Sequence, residues 1–107
     1  MRIIKSAALQ GYARKHPRAR SSLVLWTEIT KHAQWSNYTE VRNTFNSADP
    51  VQLESGRTVT VFNIAGNDFR LITAIHYTPT NPLRGRVYIR EFLTHSEYTK
   101  GKWKDRH

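Results

Sequence analysis

The sequence predicts an α+β fold in which an N-terminal helical hairpin packs on an antiparallel β-sheet. Two observations support this prediction: apolar residues recur at helical spacing up to about residue 45, and they alternate at strand spacing from Thr58 onward. Because the helical and strand patterns occupy separate parts of the chain, we expect the helices to lie on one face of the sheet. The 107 residues suit a single domain, residues 1–107, with one core.

The first third of the chain predicts two consecutive helices. Met1–Lys5 is a β-branched stretch that fits either an edge strand or the lead into a helix. Ser6 is a candidate N-cap for the first helix, and Pro17 should end that helix because proline disfavours helical geometry in the residue before it. The second helix should bury a stripe formed by Leu23, Trp26, Ile29, Thr30 and Ala33. A link this short predicts an antiparallel helical hairpin.

The middle of the chain changes from helical to strand patterning. A third, short helix is predicted at Thr39–Phe45, and Ser47–Pro50 should end it as a turn. Beyond this turn the sequence predicts a meander of three antiparallel strands, Thr58–Ile64, Phe69–Tyr77 and Arg86–Leu93. The four residues Ala65–Asp68 should form the tight turn between the first two of these strands.

The charge balance predicts a polyanionic partner. The chain has 17 Lys and Arg against 8 Asp and Glu, a formal charge of +9, while its 38% hydrophobic content is enough for a folded core. Phosphate groups of RNA suit such a surface, and anionic lipid or an acidic protein are the alternatives. The absence of cysteine excludes disulfides, thiolate metal sites and a cysteine nucleophile. No apolar run is long enough to cross a bilayer, so we expect a cytoplasmic protein without a membrane partner.

Two residues at strand ends are the first candidates for catalysis. Arg70 carries a guanidinium fork that suits a phosphate, although an exposed arginine on an open sheet face is the alternative interpretation. His95 follows the last strand and carries the side chain that exchanges protons near neutral pH, although histidines at helix starts are often surface residues. Arg90 is a further candidate of the same kind as Arg70. The histidines lack metal-ligand spacing, so we expect no metal ion and no other cofactor.

The C-terminal segment interleaves aromatic with basic side chains. Thr94 and Glu97 have the spacing of a capping box, which predicts a short helix after the last strand. The aromatic and basic residues that follow are Tyr98, Lys100, Lys102, Trp103 and Lys104. Such a combination stacks on unpaired bases and neutralises their phosphates. The alternative is a frayed, solvated tail.

Taken together, these segments closely resemble the HigB-type toxins of bacterial toxin–antitoxin modules. The resemblance lies in Phe62-Asn63-Ile64, Gly66-Asn67, Phe69-Arg70-Leu71-Ile72, Val87-Tyr88-Ile89-Arg90, Thr94-His95, Glu97-Tyr98, Lys100-Gly101 and Trp103-Lys104. It extends over most of the chain and includes Lys15-His16-Pro17. The sequence departs from the family pattern at Ser96 and Thr99, where alanine and an acid are expected, and in a longer Thr78–Gly85 loop.

The resemblance implies a RelE-like microbial ribonuclease fold and a ribosome-dependent, metal-independent endoribonuclease that cleaves messenger RNA through its own 2′-OH. The catalytic residues would be Arg70, His95, Tyr98 and Lys102. The residues that contact RNA would be Asn67, Arg90, Lys100, Trp103 and Lys104. The implied partners are a cognate HigA-like antitoxin, the ribosome and mRNA. Two rival functions are a RelE-fold toxin that poisons DNA gyrase and a non-catalytic RNA- or ribosome-binding module.

Overall fold

The computed structural model describes residues 1–107 as four α-helices and five strands. The helices are α1 (Ala7–Lys15), α2 (Arg20–His32), α3 (Tyr38–Thr44) and α4 (His95–Lys100). The strands are β1 (Arg2–Ile4), β2 (Asp49–Gln52), β3 (Thr58–Ile64), β4 (Phe69–His76) and β5 (Arg86–Thr94). Short 3-10 helices occupy Pro17–Ala19, Pro82–Arg84 and Lys102–Arg106. None of the helices is long and apolar enough to cross a bilayer.

The strands form one mixed sheet in the order β1-β5-β4-β3-β2. The α+β prediction is therefore confirmed, with one difference in strand direction. The pairs from β2 to β5 are antiparallel, as predicted, but β1 pairs parallel to β5, with Ile3 opposite Val87. The chain returns to β1 only after the three helices and the meander, so local pattern alone could not give this pairing.

The predicted turn at Ser47–Pro50 is wrong in its second half, because Asp49–Gln52 is the edge strand β2. It pairs antiparallel with β3, with Val51 opposite Val59. Proline has no backbone N–H to donate, and an edge strand tolerates this because one of its sides needs no sheet partner. The predicted three-strand meander is therefore extended to four strands.

The two faces of the sheet bury two separate apolar clusters. On the first face, α1 to α3 cover a large cluster that includes Trp26, Phe62 and Leu71. On the second face, a smaller cluster includes Val61 and Ile72 and is closed by the C-terminal segment. Placing all helices on one face was therefore wrong. Alternate residues of the central strands are apolar on both sides, so the second face also needs a cover.

Most of the predicted helix boundaries are correct. Helix α1 ends at Lys15, two residues before Pro17, as the proline predicts. Ser6 precedes α1 but does not cap it, because its backbone is helical and its hydroxyl makes no capping hydrogen bond. The capping box at the start of α4 is confirmed: the Thr94 hydroxyl accepts from the Glu97 N–H, and the Glu97 carboxylate accepts from the Thr94 N–H.

Candidate active site

The candidate site lies at the end of the sheet where the β3–β4 turn meets the start of α4. Phe69 pairs with Thr94, which brings the two segments side by side. The backbone N–H of His95 donates to the carbonyl of Asp68 at 2.9 Å. Ala65 and Gly66 both have positive φ, so the turn is tight and fixes where its polar residues point. The turn and the helix start therefore form one continuous surface.

Arg70 is more buried than the sequence suggested, with only 9% of its surface exposed. Its Nη1 donates to the carbonyls of Asn67 and Phe69, both at 3.0 Å, and its Nη2 donates to the Asn67 side-chain oxygen. The alternative interpretation, an exposed arginine on an open sheet face, is therefore wrong. The turn accepts both Nη1 hydrogens and one Nη2 hydrogen of the guanidinium. The Nε–H and the second Nη2–H are left for a ligand. Such a fixed fork suits the oxygens of a phosphate.

Tyr98 covers Arg70 from α4. The Arg70 guanidinium carbon lies 5.5 Å from the centre of the phenol ring, and the ring also stacks on Trp103 at 5.2 Å between centroids. Burial raises the pKa of the Tyr98 phenol above its ordinary value of 10.0, the Asp49 carboxylate raises it further, and Arg70 opposes both. The phenol therefore stays protonated at neutral pH and can donate a hydrogen bond to a bound anion.

His95 is exposed as the first residue of α4 and is positioned by its own helix. The hydroxyl of Thr99, one turn later, lies 3.4 Å from the imidazole Nδ1 and donates to the His95 carbonyl at 2.9 Å. Thr99, which stands where the family pattern has an acid, is therefore in contact with the His95 ring. With Nδ1 facing Thr99, the Nε2 atom of His95 is free to exchange a proton with a substrate.

Glu97 lies beside His95 but is committed to the helix cap. The Thr94 backbone N–H lowers the pKa of the Glu97 carboxyl below its ordinary value of 4.5, with Lys15 and His16 adding to the shift. The folded value thus lies below the unfolded one. The carboxylate contributes stability that is present above the unfolded pKa and lost as pH falls through the folded pKa.

We therefore expect the melting temperature of Glu97→Gln to fall less steeply than that of wild type as the pH is lowered from about 5 to about 3. The glutamine oxygen can still accept from the Thr94 N–H but does not titrate in this range. Thermal melts of both proteins across that range measure the difference. Glu54→Gln, at an exposed carboxylate without a hydrogen-bond partner, is the matched control. A wild-type slope in Glu97→Gln would contradict the prediction.

The basic end of the chain is ordered, which makes the alternative of a frayed tail wrong. Gly101 ends α4 with φ 77°, in the left-handed region that favours glycine, and a 3-10 helix follows over Lys102–Arg106. Lys100, Lys102 and Lys104 are all exposed on this segment. Their exposure leaves them available to bind RNA, and their roles stay predictions.

Trp103 is part of the core and not of the RNA-contacting surface. It is 1% exposed and packs in the cluster of the second sheet face. Its indole N–H donates to the Tyr98 carbonyl at 3.1 Å. An indole buried in this way offers no free face to a base, so the prediction that Trp103 stacks on RNA is wrong. Its place is beneath Tyr98, which it supports.

Arg90 contacts Tyr88 and not the other predicted site residues. Its guanidinium carbon is 5.3 Å from the centre of the Tyr88 ring, two residues earlier on β5. The neighbouring Glu91 pairs with Ile72, two residues from Arg70 on β4. The structure thus brings together Asn67, Arg70, His95 and Tyr98, while Arg90 stacks on Tyr88.

Two residues between α1 and α2 join the site and were missed as functional candidates. Arg18 forms an exposed ion pair with Asp68 of the β3–β4 turn. The His16 ring lies 5.0 Å from the ring of Phe69 and 5.8 Å from that of Phe92. The motif Lys15-His16-Pro17 was noticed in the sequence only as part of a family pattern. Arg18 and Asp68 are 50 residues apart in the sequence, and this separation hid their contact.

Comparison with known proteins agrees with this fold and surface. A family model for HigB toxins, described as the RelE-like toxic component of a toxin–antitoxin system, matches residues 19–101. The chain belongs to this family. It is also 27% identical over 110 residues to the mRNA interferase toxin HigB of Escherichia coli K12 and to the mRNA interferases HigB of Escherichia coli O157:H7 and Shigella flexneri. Each match covers 95% of this chain and 99% of the relative.

A cavity of about 930 Å³ lies away from this site, between α1, α2 and β1, and none of the predicted site residues lines it. Arg70, His95 and Tyr98 instead lie at an open end of the sheet, where His95 is exposed, Tyr98 is half-buried and Arg70 is buried beneath Tyr98. An open site of this kind suits a macromolecular substrate better than a small molecule, which binds in an enclosed cleft.

Proposed function

We propose that this toxin cleaves messenger RNA on the ribosome as a metal-independent endoribonuclease. The observation that carries the proposal is the placement of the fixed Arg70 guanidinium, the Tyr98 phenol and the His95 imidazole at one open end of the sheet. Three exposed lysines follow Tyr98 in the sequence, in a chain of formal charge +9. The family membership and the names of its relatives, which are mRNA interferases, support the same activity.

The proposed chemistry is a transesterification within the RNA. The 2′-oxygen attacks the adjacent phosphorus, the bond from phosphorus to the 5′-oxygen breaks, and a 2′,3′-cyclic phosphate and a 5′-OH are formed. One proton leaves the 2′-OH and one reaches the leaving 5′-oxygen. His95 carries out one of these transfers through its imidazole. Arg70 binds the phosphate oxygens and stabilises the charge that they gain in the transition state.

The remaining residues have supporting roles in this proposal. Tyr98, protonated at neutral pH, donates to the phosphate or orients a base. Lys102, with Lys100 and Lys104, adds positive field and binds the flanking backbone. Asn67 holds Arg70 in place through two hydrogen bonds. Glu97 is assigned to the helix cap and not to proton transfer, because its Oε1 accepts the Thr94 N–H.

The ribosome supplies what the open site lacks. A surface without an enclosing cleft cannot by itself hold a flexible RNA strand with its 2′-oxygen in line with the breaking bond. Correct orientation lowers a barrier by as much as about 7–11 kcal/mol, and a translating ribosome holds mRNA in a fixed path. The proposed partners are therefore the ribosome with its mRNA and a HigA-like antitoxin, all in the cytoplasm.

The products of the reaction test this mechanism. We expect fragments with a 2′,3′-cyclic phosphate or a 3′-phosphate and a 5′-OH, because only the RNA's own oxygen attacks. EDTA at a concentration that leaves ribosomes intact should not change the single-turnover rate. End-group analysis by ligation and mass spectrometry measures the outcome. A 5′-phosphate on the downstream fragment would contradict the proposal.

Primer extension on mRNA after induction of the toxin separates the rival functions. Discrete breaks within translated frames are expected from the proposed activity. Intact mRNA together with broken chromosomal DNA would indicate a gyrase poison. Growth arrest with both nucleic acids intact and toxin bound to ribosomes would indicate a non-catalytic binding module.

A further inference from the structure

The second face of the sheet is covered only in part. Helix α4 and the C-terminal 3-10 helix close it over β3, the start of β4 and the end of β5, where Val61, Ile72 and Leu93 are buried. No element lies over the β1 side. There, Arg86 and Arg90 of β5 are exposed, Tyr88 between them is half-buried, and His76 at the end of β4 is exposed.

Strand register places three of the cationic or titratable side chains in one row. Arg2 of β1 lies opposite Arg86 of β5, and Arg86 lies opposite His76 of β4. Their neighbours Val87 and Ile75 pack into the cluster beneath the helices. Because side chains alternate between faces, the row belongs to the second, open face.

The row has no acidic partner within the protein. The ion pairs of the chain are Arg18–Asp68, Lys31–Glu28, Arg106–Glu91 and His107–Glu91, so the arginines of the open face take part in none of them. Like charges directly opposite each other on neighbouring strands are destabilising. An external polyanion would offset the repulsion between these two neighbouring arginines.

A bulge adds a stacking surface to the row. Ile72 of β4 pairs with Glu91, but the next residue, Thr73, pairs with Ile89, so Arg90 has no partner on β4. The Arg90 guanidinium lies over the Tyr88 ring at 5.3 Å. A planar guanidinium on an aromatic ring is a surface on which an unpaired base stacks.

We propose that this surface, the arginine strip of Arg2, His76, Arg86, Tyr88 and Arg90, binds single-stranded RNA flanking the cleaved bond. The inference rests on the proposed function, because the RNA is taken to be the strand that enters the Arg70 site. Arg70 and His76 share a face of β4 and are six residues apart, roughly 20 Å along the strand. Arg2 and Arg86 are level with His76, whereas Arg90 lies nearer to Arg70. A short RNA held at the site therefore does not reach Arg2, His76 and Arg86, whereas a longer one does.

The test compares two double variants with equal change in charge. Arg2→Gln with Arg86→Gln removes the two directly opposite arginines from the arginine strip, and Arg14→Gln with Arg20→Gln removes two exposed, unpaired cations from α1 and α2. The probe is a fluorescein-labelled 12-mer of 2′-O-methyl RNA, which lacks the attacking hydroxyl. A labelled trinucleotide of the same chemistry serves as the short ligand. Fluorescence anisotropy gives both affinities across a salt series.

We expect the strip variant to bind the 12-mer about tenfold more weakly at low salt, with the slope of log affinity against log salt reduced by about 1.4. The helix variant should retain most of the wild-type affinity and slope, and all three proteins should bind the trinucleotide equally. The melting temperature of the strip variant should equal or exceed that of wild type, because repulsion has been removed. Unfolding therefore does not account for the expected loss.

Equal losses in the two double variants, or a wild-type chain that binds the 12-mer no better than the trinucleotide, would overturn the proposal. So would a strip variant with intact RNA binding that fails to bind the antitoxin encoded beside the toxin, since the face would then serve a protein. Failure of the proposed function is a different result. In that case neither wild type nor any variant yields cleavage products on ribosomes, while the two double variants still differ in RNA affinity.

Discussion

Replacing His95 with alanine is expected to lower the single-turnover rate of mRNA cleavage on ribosomes by about 10²–10⁴-fold, the usual contribution of a proton-transfer group. The imidazole is exposed and makes no contact that the core needs, and the backbone bond from residue 95 to the Asp68 carbonyl survives the substitution. Alanine is also well suited to a helix. The melting temperature should therefore stay close to that of wild type.

Two neighbouring variants define what the His95 result means. Thr99→Val removes the hydroxyl beside Nδ1 and should cause a smaller loss of rate than His95→Ala, because the imidazole remains but is less well oriented. Ser96→Ala changes an exposed residue of the same helix turn and should leave rate and stability unchanged. Full cleavage by His95→Ala would show that another group moves the proton and would end its assignment as acid or base.

The regular elements of this fold were predictable because their signals are local. Alternation of apolar residues gave β3 with both boundaries, and the spacing of Thr94 and Glu97 gave the start of α4. The pairing of β1 and the strand at Asp49–Gln52 were not predictable in the same way. Both are edge strands whose hydrogen-bonding partners lie elsewhere in the chain, and a proline in β2 suggested a turn.

The candidate site was predictable in its residue types but not in their environments. Arg70 and His95 were singled out because they stand at strand ends, and the fold brings those ends together. The burial of Arg70 depends on Tyr98 closing over it from a different element. The contact of Arg18 with Asp68 likewise depends on how the helical layer meets the turn. Such contacts are set by tertiary packing, which a single sequence does not display.

The same limit explains the error at Trp103. Interleaved lysines and aromatics in a C-terminal segment describe an RNA-binding tail and a capping segment equally well, because both expose lysines. The two are distinguished only by the apolar residues of the second face that need a cover, Val61, Ile72 and Leu93. Once strand alternation shows that this face is apolar, an indole nearby is the natural side chain to cover it.

Trp103→Ala is therefore expected to lower the free energy of unfolding by about 3–5 kcal/mol, as large aromatic truncations in a core do. The indole is 1% exposed, stacks on Tyr98 and donates to the Tyr98 carbonyl. In a domain of this size the melting temperature should fall by more than about 10 °C. Trp103→Phe keeps much of the volume and loses one hydrogen bond, so it should cost less.

The decisive measurement is RNA affinity per folded molecule, taken below the melting temperature of each variant. A structural Trp103 predicts that this affinity is nearly unchanged in Trp103→Phe even though the protein melts earlier. Lys104→Ala, at the exposed neighbouring residue, should do the opposite, with an unchanged melting temperature and weaker, less salt-dependent binding. A Trp103→Phe variant with wild-type stability and much weaker RNA binding would place the indole at the RNA surface. In that case Trp103 would not pack beneath Tyr98, and Tyr98 would cover Arg70 without this support.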